Sequence, residues 1–206
     1  MGERAASTLV IACGALAHEI VALQRLNDWQ HLEVTCLPAE LHNRPEKIPA
    51  AVREKIRQHK ERHASIFVAY ADCGTGGQLD AVLAEDGIQR IPGAHCYEFF
   101  AGSAAFAALA DAEPGTFYLT DFLAWHFERL ILQGLGLDRH PELLPLYFGN
   151  YRRLVYLSQL DPAPRMAEAQ AAAARLGLEF EHRATGYGEL QHSLQRAGEG
   201  VVFWQN

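Results

Sequence analysis

Short apolar, β-favouring runs alternate with helix-period segments along almost the whole chain, and this alternation leaves few folds open. Residues 8–13 form the first run, ended by Gly14, and residues 16–26 follow with Leu16, Ile20 and Leu23 at helical spacing. Residues 32–36 alternate as a second strand. Pro45 then suits the first turn of a helix on which Ile48, Val52 and Ile56 share a face. Further strands are expected at 66–71, 88–92, 116–119, 153–160, 178–183 and 201–204, with helices at 78–85, 97–111, 122–137, 165–176 and 189–197. Sustained alternation of this kind implies a mostly parallel sheet with helices on both faces. The expected fold is therefore three-layer α/β and Rossmann-like. It spans residues 1–206 as a single α/β domain, with either one continuous sheet or two similar lobes divided near residues 120–150.

Composition narrows the partners. With 206 residues, 49% of them hydrophobic and 21% charged, the chain is an ordinary globular one that can bury a sizeable core. A net charge of −7 without a basic stripe argues against nucleic acid and leaves a small-molecule ligand as the partner to expect. The amino-terminal apolar run ends at Gly14 and follows an acid, Glu3. It is too short for a membrane span and lacks the cationic lead of a signal peptide, so no membrane association and a cytoplasmic location are expected. Four cysteines in such a setting read as reduced thiols, ligands or core residues rather than disulfides.

Cys13, Cys36, Cys73 and Cys96 all fall at or just after the carboxyl end of an expected strand, the edge at which parallel sheets bind ligands. Cys36, followed by Leu37 and Pro38, has no reactive neighbours and reads as a small core residue. Cys13, Cys73 and Cys96 lie beside glycine turns or polar groups. With His95 they make a candidate metal set for zinc, or for iron, with one position open to substrate. No CxxC pair is present, so a metal-free site with Cys73 as nucleophile stays open as the rival, given a cation or helix N-terminus to lower its pKa.

Glu19, Glu98 and His42 are the candidates for handling protons. The Gly74-Thr75-Gly76-Gly77 turn can offer backbone N–H groups to an anion, or serve only as a tight turn that needs positive φ. Asn43, Tyr97 and Asn150 are further candidates for substrate contact. Thr120-Asp121 reads as a helix cap and His126 as a core histidine.

Several of these stretches together resemble domain-of-unknown-function family 1638, an uncharacterised bacterial and archaeal family. They are Ala12-Cys13-Gly14-Ala15-Leu16 with Glu19, Leu41-His42-Asn43-Arg44-Pro45, Asp72-Cys73-Gly74-Thr75-Gly76-Gly77, Gly93-Ala94-His95-Cys96-Tyr97-Glu98, Pro114 to Phe122, His140-Pro141-Glu142-Leu143 and Tyr147 to Tyr151. The resemblance implies association with corrinoid-dependent methyl transfer, and hence a corrinoid protein or a methyltransferase as partner. The leading expectation is a zinc-dependent enzyme acting on a small thiol, amine or methyl donor, by methyl-group or sulfur chemistry. The alternatives are a metal- or corrinoid-related accessory protein without turnover, and a metal-free cysteine enzyme.

Overall fold

The computed structural model describes residues 7–199. The strand expected at 201–204 lies outside the described residues. Two compact units make up the chain, one running to Phe99 and resuming at Glu189, the other spanning Phe100–Gly188. The division thus falls at Phe99 and Phe100, ahead of the 120–150 stretch. Each unit is α/β with its own parallel sheet, rather than the two sharing a continuous one.

The first unit holds β1 (Thr8–Cys13), α1 (Ala17–Asn27), β2 (Leu32–Leu37), α2 (Ile48–His59), β3 (Ser65–Ala69), α3 (Gln78–Ala84) and β4 (Gln89–Arg90). Its sheet order is β2-β1-β3-β4, all parallel. All six residues of β1 are buried, as an unbroken apolar run requires of a strand with neighbours on both sides and helices on both faces. β2 lies at the edge, where Glu33 and Cys36 reach solvent while Leu32 and Leu37 stay buried, so Cys36 is not the core residue its apolar neighbours suggest: an edge strand leaves it uncovered.

Right-handed crossovers in this order send the chain from β1 one way to β2, with α1 on one face. It then returns past β1 to β3 and β4, with α2 and α3 packed together on the other. The result is three layers. Ile20 and Leu23 of α1, and Ile48, Val52 and Ile56 of α2, are fully or almost fully buried. Each such side chain contributes about 1.5–3 kcal/mol relative to exposure.

The second unit carries β5 (Thr116–Leu119), β6 (Arg153–Ser158) and β7 (Glu179–Ala184) in parallel order β5-β6-β7. Leu119, Phe148, Leu154 and Tyr156 form its core with the alanine face of α8 (Met166–Leu176). Two helices expected from the sequence are broken. The 97–111 segment is two helices, α4 (Cys96–Ala101) and α5 (Ser103–Ala112), because Gly102 between them adopts φ +81°. The 122–137 segment is the short α6 (Asp121–Trp125) followed by a π-helical stretch over Glu128–Gln133. Thr120 caps α6 through Leu123 N–H, the role its sequence position suggests. The unit also contains α7 (Leu144–Phe148), and α9 (Gly188–Gly198) returns the chain to the first unit. No helix among the described residues is long and apolar enough to cross a membrane.

Candidate functional site

In the β2-β1-β3-β4 sheet the chain changes direction between β1 and β3, so the carboxyl ends of those strands flank the crevice in which such sheets take ligands. Cys13 is the last residue of β1 and is 3% exposed. Its sulfur accepts a hydrogen bond from Ala15 N–H at 3.4 Å, which makes the thiol the cap of the helical turn that opens α1. Gly14 is needed because a Cβ there would stand 2.9 Å from the carbonyl oxygen of Leu37. This close approach of the β1 and β2 ends delivers the Leu41-His42-Asn43 turn to Cys13. His42 Nδ1 lies 3.5 Å from Cys13 Sγ and 3.3 Å from Ala39 O. Since a carbonyl only accepts, Nδ1 carries the proton and Nε2 keeps its lone pair.

The loops after β3 and β4 are stitched together. Asp72 N–H donates to Gly93 O at 3.0 Å and Cys73 N–H to Ala94 O at 2.8 Å. Arg90, 8% exposed, pairs in bidentate fashion with Asp80 at 2.6 and 2.9 Å and donates to Ile91 O at 2.8 Å and Gly93 O at 3.3 Å, fixing the second loop from below. Cys73 adopts φ +51°, a left-handed conformation that costs a β-carbon residue about 1–2 kcal/mol. The Cys96 N–H, at the start of α4, acts to lower the pKa of the Cys73 thiol. Tyr70 is 1% exposed, its hydroxyl is buried without a hydrogen-bond partner among the described residues, and it acts electrostatically on the Cys13 thiol.

The thiols share one electrostatic neighbourhood. Burial pushes Cys13 up to about 12, with the Cys73 sulfur adding to the rise against the Ala15 N–H. Burial pushes Cys73 up to about 11, opposed in part by backbone N–H groups and by Arg90. Cys96 is raised as well, by burial first and then by Cys73 and Cys13. His42 is lowered, chiefly by burial, and so stays neutral at pH 7. Neutral imidazole beside protonated thiols is a donor set that a cation would convert to thiolates, because an ion's charge offsets the burial that now keeps the protons on.

The remaining sequence candidates distribute unevenly. Glu98 closes its own loop: its Oε2 accepts from Ala94 N–H at 2.8 Å at the head of α4. Glu19 is buried within α1 at 7% exposure. His95 is exposed, with its ring 6.4 Å from that of half-buried Tyr97. Asn43 is exposed at the end of the turn that carries His42.

Asn150 belongs to the second unit, in the turn that feeds β6, where its carbonyl backs onto Gly115. In the Gly74-Thr75-Gly76-Gly77 turn the amides of Gly76 and Gly77 already hold an anion, the chain's own Asp72, at 3.0 and 2.9 Å. Thr75 Oγ1 adds a third bond at 2.7 Å. Burial raises the Asp72 carboxyl, but Thr75, the two amides and Arg90 outweigh it and the net shift is downward.

Sequence reading overlooked Tyr70, taken only as part of a strand, and a second cluster of ligand-type groups. Glu33, His59 and His63 are, among the described residues, the one triad whose donor atoms all lie within 4.8 Å of one another. The sulfurs of Cys13, Cys73 and Cys96 do not meet that separation together, so closing them on one ion requires them to move toward one another. The histidine spacing, three residues between His59 and His63 at the end of a helix, was visible in the chain; the arrival of Glu33 was not.

Among known families, the model described as "Protein of unknown function (DUF1638)" matches residues 36–194. No curated protein and no solved structure matches the chain.

Proposed function

Because the chain belongs to the DUF1638 family of proteins of unknown function, its chemistry has to be read from its own side chains, and we propose that Cys13, Cys73 and Cys96 form a thiolate metal centre of the zinc type that acts on a small thiol, amine or methyl donor. The observation that carries this reading is the gathering of three thiols at the carboxyl edge of the sheet, where the Cys73 sulfur adds to the burial that raises Cys13 and both add to the burial that raises Cys96. A free-thiolate nucleophile is disfavoured by the same fact, since a thiol held near 11 or 12 is protonated at neutral pH. The donor set fits zinc or iron, both of which take thiolate and imidazole.

In this reading Cys13 and Cys73 are the fixed members, one at the end of a central strand and the other in a strained turn. Cys96 and His95 sit on the loop held by Arg90 and Glu98. A zinc-type ion would polarise a bound thiol or amine and lower its pKa. His42, neutral and with Nε2 unengaged by its two Nδ1 contacts, accepts the proton released. Tyr70 offers a buried hydroxyl to the Cys13 sulfur, and a donor to a thiolate lowers its pKa and steadies its charge. Corrinoid-linked methyl transfer is the metabolic setting this chemistry suits, with a methyltransferase or corrinoid protein as partner. All four cysteines are unpaired, which supports a reducing, cytoplasmic compartment.

Elemental analysis of protein purified without added metal, on wild type and on Cys13→Ser, Cys73→Ser and Cys96→Ser, tests the proposal. Near-stoichiometric zinc or iron in wild type, lost in at least two of the variants, is the expected result. A folded wild-type protein that neither carries nor takes up metal at the thiols overturns it.

A further inference from the structure

The first unit holds a second group of metal-ligand side chains at the opposite edge of its sheet from the thiols. Glu33 is the second residue of β2, so it lies toward the amino end of that strand. His59 is the last residue of α2, and His63 lies in the turn that leads into the amino end of β3. The His63 side chain is 4% exposed and engaged at both nitrogens. Nδ1 is 3.1 Å from His59 O and Nε2 is 3.0 Å from Glu33 Oε2.

A carbonyl can only accept, so Nδ1 carries the proton. With the ring charged, Nε2 donates its proton to Glu33 as an ion pair; with the ring neutral, its lone pair and the carboxylate face one another and can be shared by a metal ion. The Nδ1 contact is also the arrangement that fixes the tautomer of a metal-ligating histidine. His59 contributes the second observation: its Nδ1 is buried and makes no hydrogen bond. The carbonyl end of α2 adds a negative partial charge that favours a cation, while Arg62, whose charge also acts on Glu33, opposes one.

We propose that Glu33, His59 and His63 bind a divalent first-row transition ion, with zinc the ion of choice. Two imidazoles and a carboxylate form a three-protein-ligand donor set that leaves a position for water. The donor atoms already lie within 4.8 Å of one another, and ion-to-ligand distances of about 2.0–2.2 Å require only a modest closing movement, which exposed Glu33 is free to make. The ion ties β2 to the α2–β3 connection and stands apart from the thiol centre, on which it does not depend.

Titration of the full-length protein with Co²⁺ separates the two centres, because thiolate ligation adds a sulfur-to-cobalt charge-transfer absorption that nitrogen and oxygen ligands lack. Wild type is expected to bind one equivalent of Co²⁺ without that absorption, with a Kd below about 10 µM, and to exchange it for Zn²⁺. Glu33→Gln and His59→Ala should each weaken this step at least about 10-fold while circular dichroism stays unchanged. Glu33 is exposed, so its variant retains the fold even if His59→Ala does not. Equal binding by Glu33→Gln and wild type overturns the assignment, as does wild-type affinity weaker than that limit, which is adventitious binding by surface histidines. Loss of the thiolate absorption in the cysteine variants speaks only to the other centre.

Discussion

Cys73 stands in a backbone conformation that glycine adopts at no cost, and replacing it with glycine separates what the thiol does from what the turn requires. At φ +51° the β-carbon is held at about 1–2 kcal/mol above an unstrained residue, and Cys73→Gly releases that strain. Two terms oppose the gain. The extra freedom of glycine in the unfolded chain costs about 0.4–1 kcal/mol, and removing a half-buried CH₂–SH group costs about 1 kcal/mol of burial. The sum is close to zero, so the variant should melt within a few degrees of wild type, at about 2–4 °C per kcal/mol for a chain of this size.

Ala71→Gly is the control, two positions earlier in the same connection. Ala71 is fully buried and has no positive φ to relieve, so this change should cost about 1 kcal/mol or more. Thermal unfolding followed by circular dichroism gives the comparison, and metal content of the same samples gives the functional half. Cys73→Gly should keep its melting temperature and lose metal. A drop as large as that of Ala71→Gly would show that the sulfur is a packing group, and would remove the reason to read the strained turn as a device for presenting a thiol.

Three other outcomes follow from the geometry. Gly14→Ala puts a methyl 2.9 Å from Leu37 O and should cost about 1–3 kcal/mol, seen as a lowered unfolding midpoint in urea, because backbone rather than a flexible side chain must give way. Asp72→Asn should cost about 1 kcal/mol at pH 7 by weakening the bonds to Gly76 and Gly77. Because the folded Asp72 pKa is depressed, its contribution is complete above the ordinary 3.8 and fades as pH falls through the folded value. The gap between wild type and variant should therefore close in acid, and a gap that widens there refutes the assignment. In metal-free protein at pH 8, a thiol reagent should label exposed Cys36 first and Cys13 far more slowly, since a thiol near 12 is ionised in roughly 1 molecule in 10,000. Labelling of Cys73 as fast as Cys36 would instead favour the nucleophile reading.

What the chain disclosed by itself was whatever depends on near neighbours. Six consecutive buried residues in β1 are visible in the residues themselves, because a central parallel strand is covered on both faces, whereas the alternation expected of β2 fails at Cys36 and Leu37. The stop at Gly14 and the positions of Cys13 and Cys73 follow in the same way. The order of the strands did not, since the crossovers that put β1 between β2 and β3 depend on packing between segments tens of residues apart. The break at Gly102 was signalled by the glycine, but an alanine-rich window outweighed it.

The glycine turn leaves two readings open in the sequence, a cradle for a ligand's anion and a tight turn that needs positive φ; Gly74, Gly76 and Gly77 do take positive φ, and Asp72, four and five residues before the two amides it fills, is within reach of an Asx-type closure. Glycines at a strand end show that backbone N–H groups will be exposed, and the nearest acid in the sequence is the first competitor for them. The same reasoning recovers the second cluster. His59 and His63 announce a pair of imidazoles at and just past the end of a helix, but only the pairing of β1 with both β2 and β3 brings Glu33 to them. A ligand set that combines helix spacing with sheet register is half legible at best. The carboxyl-edge thiols were found because each marks the end of its own strand or loop, and the amino-edge triad was missed because one of its members has to come from another strand.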